Sequence, residues 1–163
     1  MLFRSVVSAD ELHQPGDEHI IAIGSNEIRA RVARECTGVH WGTIVHPTAV
    51  VHESVEIGPG TVIFAGAVIQ PDVRIGAHCI INTGASVDHD CTLGDFVHVA
   101  PGARLAGSVT VREGAMLGIG SAIVPGVTIG AWSLLAAGSM AARDIPDGRT
   151  AIGVPARLLP AGR

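Results

Sequence analysis

One period dominates this sequence. A step of six residues from Val45 meets an aliphatic side chain every time, through Val51, Ile57, Ile63, Ile69, Ile75, Ile81, Val87, Leu93, Val99, Leu105, Val111, Leu117, Ile123 and Ile129 to Leu135. Four places after each of these sixteen residues stands a small or β-branched one, from Ala49 and Val55 through Cys79 and Cys91 to Ser133 and Ser139. A double register held over sixteen consecutive hexapeptides identifies a repeat architecture before any other reading is attempted.

The physical solution is a triangular solenoid. Each hexapeptide supplies one short strand and one corner, and three of them close a coil. The large aliphatic side chain points into the prism, and the small one packs where the chain turns. Coils then stack at the strand spacing of about 4.7–4.9 Å. The expected fold class is therefore all-β, a parallel β-helix running from about Val45 to Ser139 in a little over five coils. Gly58, Gly76, Gly94 and Gly130 recur at one corner, where a backbone without Cβ turns easily, and Arg112 is the exception in that column. Composition agrees: 47% hydrophobic but only 3% aromatic, a core of branched and small side chains suited to strands. Cys79 and Cys91 fall on the small inward position and read as packing residues.

Charge and apolar runs narrow the partners. With a net charge of −4 and 11 Lys plus Arg in no basic run, the chain lacks the clustered cations of a nucleic-acid binder. No apolar run approaches the roughly 18 residues of a membrane span. The opening MLFRSVVSADELHQ has no apolar core followed by a small-residue cleavage site, so it does not read as a signal peptide. Three cysteines without a CxxC pair suit a reduced, cytoplasmic setting.

The flanks divide the chain into residues 1–42, 43–140 and 141–163. In the first, HIIAIG (His19–Gly24) is expected as a strand ending in glycine. NEIRARVARE (Asn26–Glu35) then follows as an amphipathic helix with Ile28 and Val32 on its apolar side. One glycine does not make a dinucleotide-binding fingerprint, so this segment is read as a truncated α/β appendage that caps the solenoid. In the last, AARDIPDGRTAIGVPARLLP carries Pro146, Pro155 and Pro160. It is expected not to continue the coil but to form a C-terminal cap or tail.

Chemistry should sit where polar side chains break the pattern. The richest stretch runs from Asn82 to Cys91, followed by Asp95 and His98, and it flanks His89 with Asp88 and Asp90. A carboxylate on one imidazole nitrogen fixes the tautomer and raises the basicity of the other, as a general base requires. The 18-residue stack sets Gly107 over His89, where its N–H is open to a ligand as an oxyanion donor. Equally, His89 can be a solvated corner histidine, and the residues alone leave both readings open. His46, His52 and His78 lie in hexapeptides that are otherwise structural, while His13, His19 and His40 belong to the appendage. A γ-class carbonic anhydrase zinc site is disfavoured, since no two histidines lie five apart and none stack at 18.

The segment INTGASVDHDCTLGDFVHVAPGARLAGSVTVREGAMLGIGSAIVPGVTIG and the tail RDIPDG…IGVPAR resemble the sugar acyltransferases of the NeuD/PglD kind, over roughly Ile20 to Arg157. The resemblance implies a left-handed β-helix, acetyl-CoA as cosubstrate, no metal, and a homotrimer binding acetyl-CoA between adjacent β-helices. By that likeness His89 is the catalytic base and Asp90 the acid that orients it. Asn82 lies near the acceptor group, His98 approaches both acceptor and thioester, and Gly107 meets the thioester carbonyl. Ile119 and the run Gly153, Val154, Pro155 and Ala156 fall on the CoA arm. The family's nucleotide is held by a complete N-terminal βαβ unit, of which this sequence matches only the final strand and helix.

Direct acetyl transfer to an amine or hydroxyl of a sugar or nucleotide sugar follows as the expected activity. No covalent intermediate on Cys79 or Cys91 is needed. A non-sugar acceptor such as an amino acid, and a non-catalytic scaffold, are the alternatives.

Overall fold

The computed structural model describes residues 17–160, so the readings of the opening segment and of His13 lie outside the described residues. A single helix, α1 (Asn26–Glu35), precedes seventeen two-residue strands, β1 (Ile44–Val45) to β17 (Met140–Ala141), one for each hexapeptide and one beyond the last. Two longer strands follow, β18 (Thr150–Gly153) and β19 (Ala156–Leu158).

Strands eighteen residues apart pair in parallel, Ile44 on Val62, Ile80 on His98 and His98 on Met116. Three walls result. The first holds β1, β4, β7, β10, β13, β16, β18 and β19, the second β2 through β17 by threes, and the third β3 through β15 by threes. The assembly is a left-handed parallel β-helix of about six turns. The second residue of each strand points inward, and Ile63, Ile81, Val99, Leu117 and Leu135 form one such fully buried ladder. Each of these side chains contributes about 1.5–3 kcal/mol by burial. The small inward positions hold polar atoms by bonding across coils: Thr61 donates to the Gly76 carbonyl, Cys79 to Gly94, and Cys91 to Ala106.

The glycine column has a sharper cause than an easy turn. A Cβ on Gly58 would stand 2.5 Å from the Gly76 carbonyl carbon, and one on Gly94 would stand 2.7 Å from the Glu113 nitrogen. Close approach of successive coils, rather than a left-handed backbone, excludes side chains there.

Three expectations are corrected. His19–Gly24 is not a strand. Only His19 makes a bridge, to Trp41, and the carbonyls of Ile23 and Gly24 accept from the Arg29 side chain of α1. Helix α1 spans the expected residues, with Ser25 as its N-cap, but its buried face is the polar one. Asn26, Arg29 and Ala30 pack inward while Ile28 is 43% exposed. The solenoid surface presents backbone carbonyls at its corner, and polar donors satisfy these better than aliphatic side chains.

The C-terminal segment also continues the coil. Ile145 bridges to Ile129, and β18 pairs in parallel with β16 (Leu134–Leu135), each at a step of sixteen instead of eighteen. Around Pro146, side-chain oxygens stand in for backbone acceptors. Asp144 accepts from the Thr128 N–H and Asp147 from the Ala131 N–H. Ile145 and Ala151 join the core, and only β19, which turns back antiparallel on β18, departs from the stack.

Candidate active site

The predicted site residues fall into two groups on one protomer. The first lies on the corner between the second and third walls, where β8 (Ser86–Val87) passes to β9 (Thr92–Leu93). His89 and Asp90 are the two turn residues there, and Asp90 has φ 59°. The same turn position is proline at Pro71 and Pro125, as suits a tight turn whose second residue takes a positive φ. A short carboxylate side chain tolerates that conformation. Its Oδ2 then lies 2.7 Å from His89 Nδ1.

His89 is open to solvent. The hydrogen bond to Asp90 holds its pKa above the ordinary imidazole range, and the field of Asp88 adds to this. Asp88 is fixed in turn by accepting from the His89 backbone N–H at 2.9 Å. With Asp90 on Nδ1, the neutral ring carries its proton there and leaves Nε2 as a free acceptor. Gly107 stands over this ring as the stacking argument requires. A Cβ on it would come within 2.6 Å of His89 Cε1 and 2.7 Å of Nε2. Among the described residues the Gly107 N–H has no partner, while its carbonyl accepts from Gly126. The corner thus offers an oriented base and an unused N–H, one coil apart. A shallow depression of about 210 Å³ beside it is lined by Val68, Gln70, Ser86 and Asp88.

The second group is on the first wall. His98 opens β10 (His98–Val99) and points outward, yet it is only 9% exposed. Asn82 follows β7 (Ile80–Ile81), the strand one coil before. Its Oδ1 accepts from the Thr83 N–H at 2.8 Å, which turns its Nδ2 toward His98 Nε2 at 3.2 Å. His98 is held below the ordinary imidazole range, first by burial and then by the Arg29 charge. The two groups lie on different corners, so one protomer does not unite His89 with Asn82 and His98.

Ile119 sits on the same corner as Asn82, further up the stack, and is 62% exposed. The Gly138 N–H donates to the Ile119 carbonyl, and the Gly153 N–H to Ser139 Oγ. These bonds seat the hairpin tip, Gly153, Val154, Pro155 and Ala156, over that corner, with Val154 exposed. A line of exposed apolar side chains therefore climbs from Met116 and Ile119 to Ile152 and Val154.

Two residues near this group escaped the sequence reading, Arg29 and Asn26. Their spacing of three with Ala30 beside them put them on one helix face, but nothing local marked that face as buried. His78 proved structural, stacked on Phe96 at 5.3 Å and edge-on to Trp41. Among the described residues no three His, Cys, Asp or Glu side chains converge as metal ligands, and no helix is long and apolar enough to cross a membrane.

Comparison with known proteins places this geometry in a context. The family model described as bacterial transferase hexapeptide (six repeats) matches residues 54–89 and 72–107. Perosamine N-acetyltransferase from Caulobacter crescentus, solved as a mutant with CoA and GDP-perosamine, is 44% identical, with a TM-score of 0.85. That match covers 87% of this chain and 69% of the other. The acetyltransferase domain of PglB from Neisseria gonorrhoeae FA1090 is 36% identical at a TM-score of 0.89, covering 93% and 75% of the two chains. A structure of that domain with acetyl coenzyme A is 38% identical, covering 87% and 70%, at a TM-score of 0.85. WeeI from Acinetobacter baumannii AYE is 29% identical, covering 92% and 75%, at a TM-score of 0.85. A search of curated proteins found no match.

Proposed function

This chain belongs to the hexapeptide-repeat sugar acyltransferases of the NeuD/PglD kind, and from that premise we propose that it moves an acetyl group from acetyl-CoA to an amine or hydroxyl of a sugar or nucleotide sugar, with His89 as general base. The observation that carries the reading is the corner itself: a 2.7 Å His89–Asp90 bond beneath the unused N–H of Gly107.

The chemistry follows from those positions. His89 Nε2 takes a proton from the acceptor as its nitrogen or oxygen attacks the thioester carbon. Asp90 stabilises the imidazolium that forms. The Gly107 N–H donates to the carbonyl oxygen as negative charge builds there. Collapse breaks the C–S bond, and His89 returns its proton to the departing CoA sulfur. No enzyme thiol enters. Cys79 and Cys91 are walled into the prism, and burial pushes the Cys79 thiol up to about 12. The small-molecule partners are thus acetyl-CoA, lying against Ile119 and Gly153–Ala156, and a sugar acceptor approaching Asn82.

The remaining groups join His89 through a neighbouring protomer. The third wall is charged and polar, with Arg74 pairing Glu56 at 3.6 Å and Thr92, Thr110 and Thr128 above them. The first two walls present Val50, Val68, Met116, Leu134 and Met140. A closed threefold ring that buries these two walls sets the His89 corner of one copy against the Asn82–His98 wall of the next. The proposed division into appendage, solenoid and cap serves this ring, with the solenoid supplying the interfaces.

Thiol release from acetyl-CoA, measured over a panel of amino sugars, nucleotide-linked amino sugars and serine, tests the reading. Transfer to a sugar amine that disappears in His89→Ala is the expected result. Co-assembly of His89→Ala with Asn82→Ala protomers should restore part of it. Full activity in His89→Ala would remove the base assignment, and transfer confined to serine would remove the sugar.

A further inference from the structure

The depression beside His89 collects polar groups that the fold does not use. Val68 pairs with Ser86 on the second wall, and Gln70 stands one coil below Asp88. Among the described residues the Gln70 amide and the Ser86 hydroxyl have no hydrogen-bond partner, and Asp88 engages only Oδ1, which accepts from the His89 N–H at 2.9 Å. Polar side chains at other corners are taken up by the coils themselves. Thr48 Oγ1 accepts from the Gly66 N–H, Ser54 Oγ from the Asp72 N–H, and Asp95 from the Ala77 N–H. Nor does the turn call for a carboxylate at 88, since Ala106 and Val124 hold the same position one and two coils above.

Position along the axis gives the depression a direction. The Gly107 N–H is one coil above His89, and the exposed apolar line proposed to receive CoA continues upward through Met116 and Ile119. The depression extends the other way, to the coil of Val68 and Gln70. A thioester held above the base leaves the nucleophile to arrive from below. The volume there, about 210 Å³, is short of the ~300–1,000 Å³ of sites that enclose drug-sized ligands, and it suits a single sugar ring.

Charge narrows the acceptor further. The second wall is one of the two that the proposed ring buries, so closure takes Asp88 further out of water. A carboxylate in that position is costly unless a cation meets it. Arg104, on the rung above Ser86, makes no ion pair with it. A sugar hydroxyl would satisfy Oδ2 by a hydrogen bond alone, whereas an ammonium brings both the bond and the charge.

We infer that the depression lined by Val68, Gln70, Ser86 and Asp88 is the acceptor subsite on the copy that carries the base, and that Asp88 selects an amino sugar over its hydroxyl counterpart. The inference deepens the transferase reading and rests on it, naming nitrogen as the atom acetylated. Val68 lies against the ring C–H groups, Gln70 and Ser86 bond ring hydroxyls, and Asn82 and His98 of the neighbouring copy position the sugar from the other side. The ammonium held at Oδ2 gives one proton to water. The free amine then attacks the thioester carbon, a C–N bond forms as the C–S bond breaks, and the second proton passes through His89 to the CoA sulfur. The products are the amide, the CoA thiol and one proton in solvent.

The experiment takes methyl glycosides of aminohexoses, with the amine at each ring position in turn, and sets each beside its parent hexoside. Acetyl-transfer kinetics and calorimetry with CoA present are the two readouts. In the wild type an amino sugar should bind ~10-fold more tightly than its parent, which acts as a competitive inhibitor. Asp88→Asn keeps an oxygen for the His89 N–H and removes the charge. The KM of the amino sugar should then rise ~10-fold while the inhibition constant of the parent moves less than ~3-fold, so the preference collapses. Asp88 also bears on the His89 pKa, so kcat alone does not discriminate and the ratio of the two sugar constants decides. Asp88→Glu should restore part of the preference, with CoA affinity and thermal melt unchanged in both variants. An amine preference that persists in folded Asp88→Asn, equal weakening of both sugars, or no binding of any amino sugar to the wild type overturns the inference. Should the wild type acetylate no sugar while an amino sugar still binds through Asp88, the transferase reading fails and the subsite stands.

Discussion

Replacing Gly107 by alanine isolates the geometry of the base from everything else in the site. The backbone there is not left-handed, so alanine fits its φ and ψ without strain. The added Cβ, however, would meet His89 Cε1 at 2.6 Å and Nε2 at 2.7 Å, where carbon contacts settle at about 3.5–4.0 Å. The backbone is tied into the coil through the Gly107 carbonyl and the Ser108 N–H, so the exposed imidazole must yield. A retreat of about 1 Å follows from those two separations, enough to stretch or break the 2.7 Å bond to Asp90. Because His89 is solvent-exposed, unfolding stability should change by less than about 0.5 kcal/mol. A 1 Å misplacement of a reacting group costs up to ~100-fold in rate. The alanine keeps its N–H, so the oxyanion donor survives and the loss is charged to the base alone. The assay is kcat for acetyl transfer beside calorimetric CoA affinity and a thermal melt. A wild-type kcat in Gly107→Ala, with melt and CoA affinity unchanged, would refute the placement of His89 Nε2 at the reacting proton.

Two further outcomes are expected. Asp90→Asn removes the leading cause of the raised His89 pKa. A base must be deprotonated to act, so the acid limb of the kcat/KM profile should move to lower pH while the plateau falls ~10-fold or more; a limb that stays in place would mean that another group titrates. Alkylation followed by mass spectrometry should label Cys36 alone in the folded protein, because Cys79 and Cys91 are buried and their thiols are held in the protonated form. Labelling of either buried thiol under conditions that preserve activity would contradict the closed prism.

The solenoid was legible because a stack of identical coils writes itself into the chain at fixed intervals. Period six set the strands and period eighteen set their neighbours, so the pairing of Ile80 with His98 could be counted rather than guessed. Legibility ended where the interval changed. From Ile129 to Ile145 the step drops to sixteen, and Asp144 and Asp147 do with side-chain oxygens what carbonyls do elsewhere. Proline there was weighed by its missing donor, but this turn asks for acceptors. The same limit applied to α1. Hydrophobicity marked Ile28 and Val32 as the inner face, whereas the surface it meets is a ridge of carbonyls at His78, Phe96 and Gly114 that binds Arg29 and Asn26.

The site divides along the same line. His89, Asp90 and Gly107 were readable because two carboxylates flank His89 in the chain and the eighteen-residue step sets Gly107 over it. Asn82 and His98 could be set in adjacent coils by counting, but what governs His98 could not. Its pKa is lowered by burial and by the charge of Arg29, far earlier in the chain, and no periodicity connects α1 to a first-wall strand. A solenoid has regular walls because each coil repeats the last, so a repeat cannot by itself distinguish one histidine from another. The distinction is made by what is laid against the wall from outside. For His89 that is nothing within its own chain, which leaves the imidazole basic and open to a substrate. For His98 it is burial and, after it, the charge of Arg29, which lower its pKa and favour the neutral ring that meets Asn82. Two histidines nine residues apart thus receive opposite pKa shifts from one scaffold, and the division of labour proposed for them, proton transfer at one and positioning at the other, follows from that difference in surroundings.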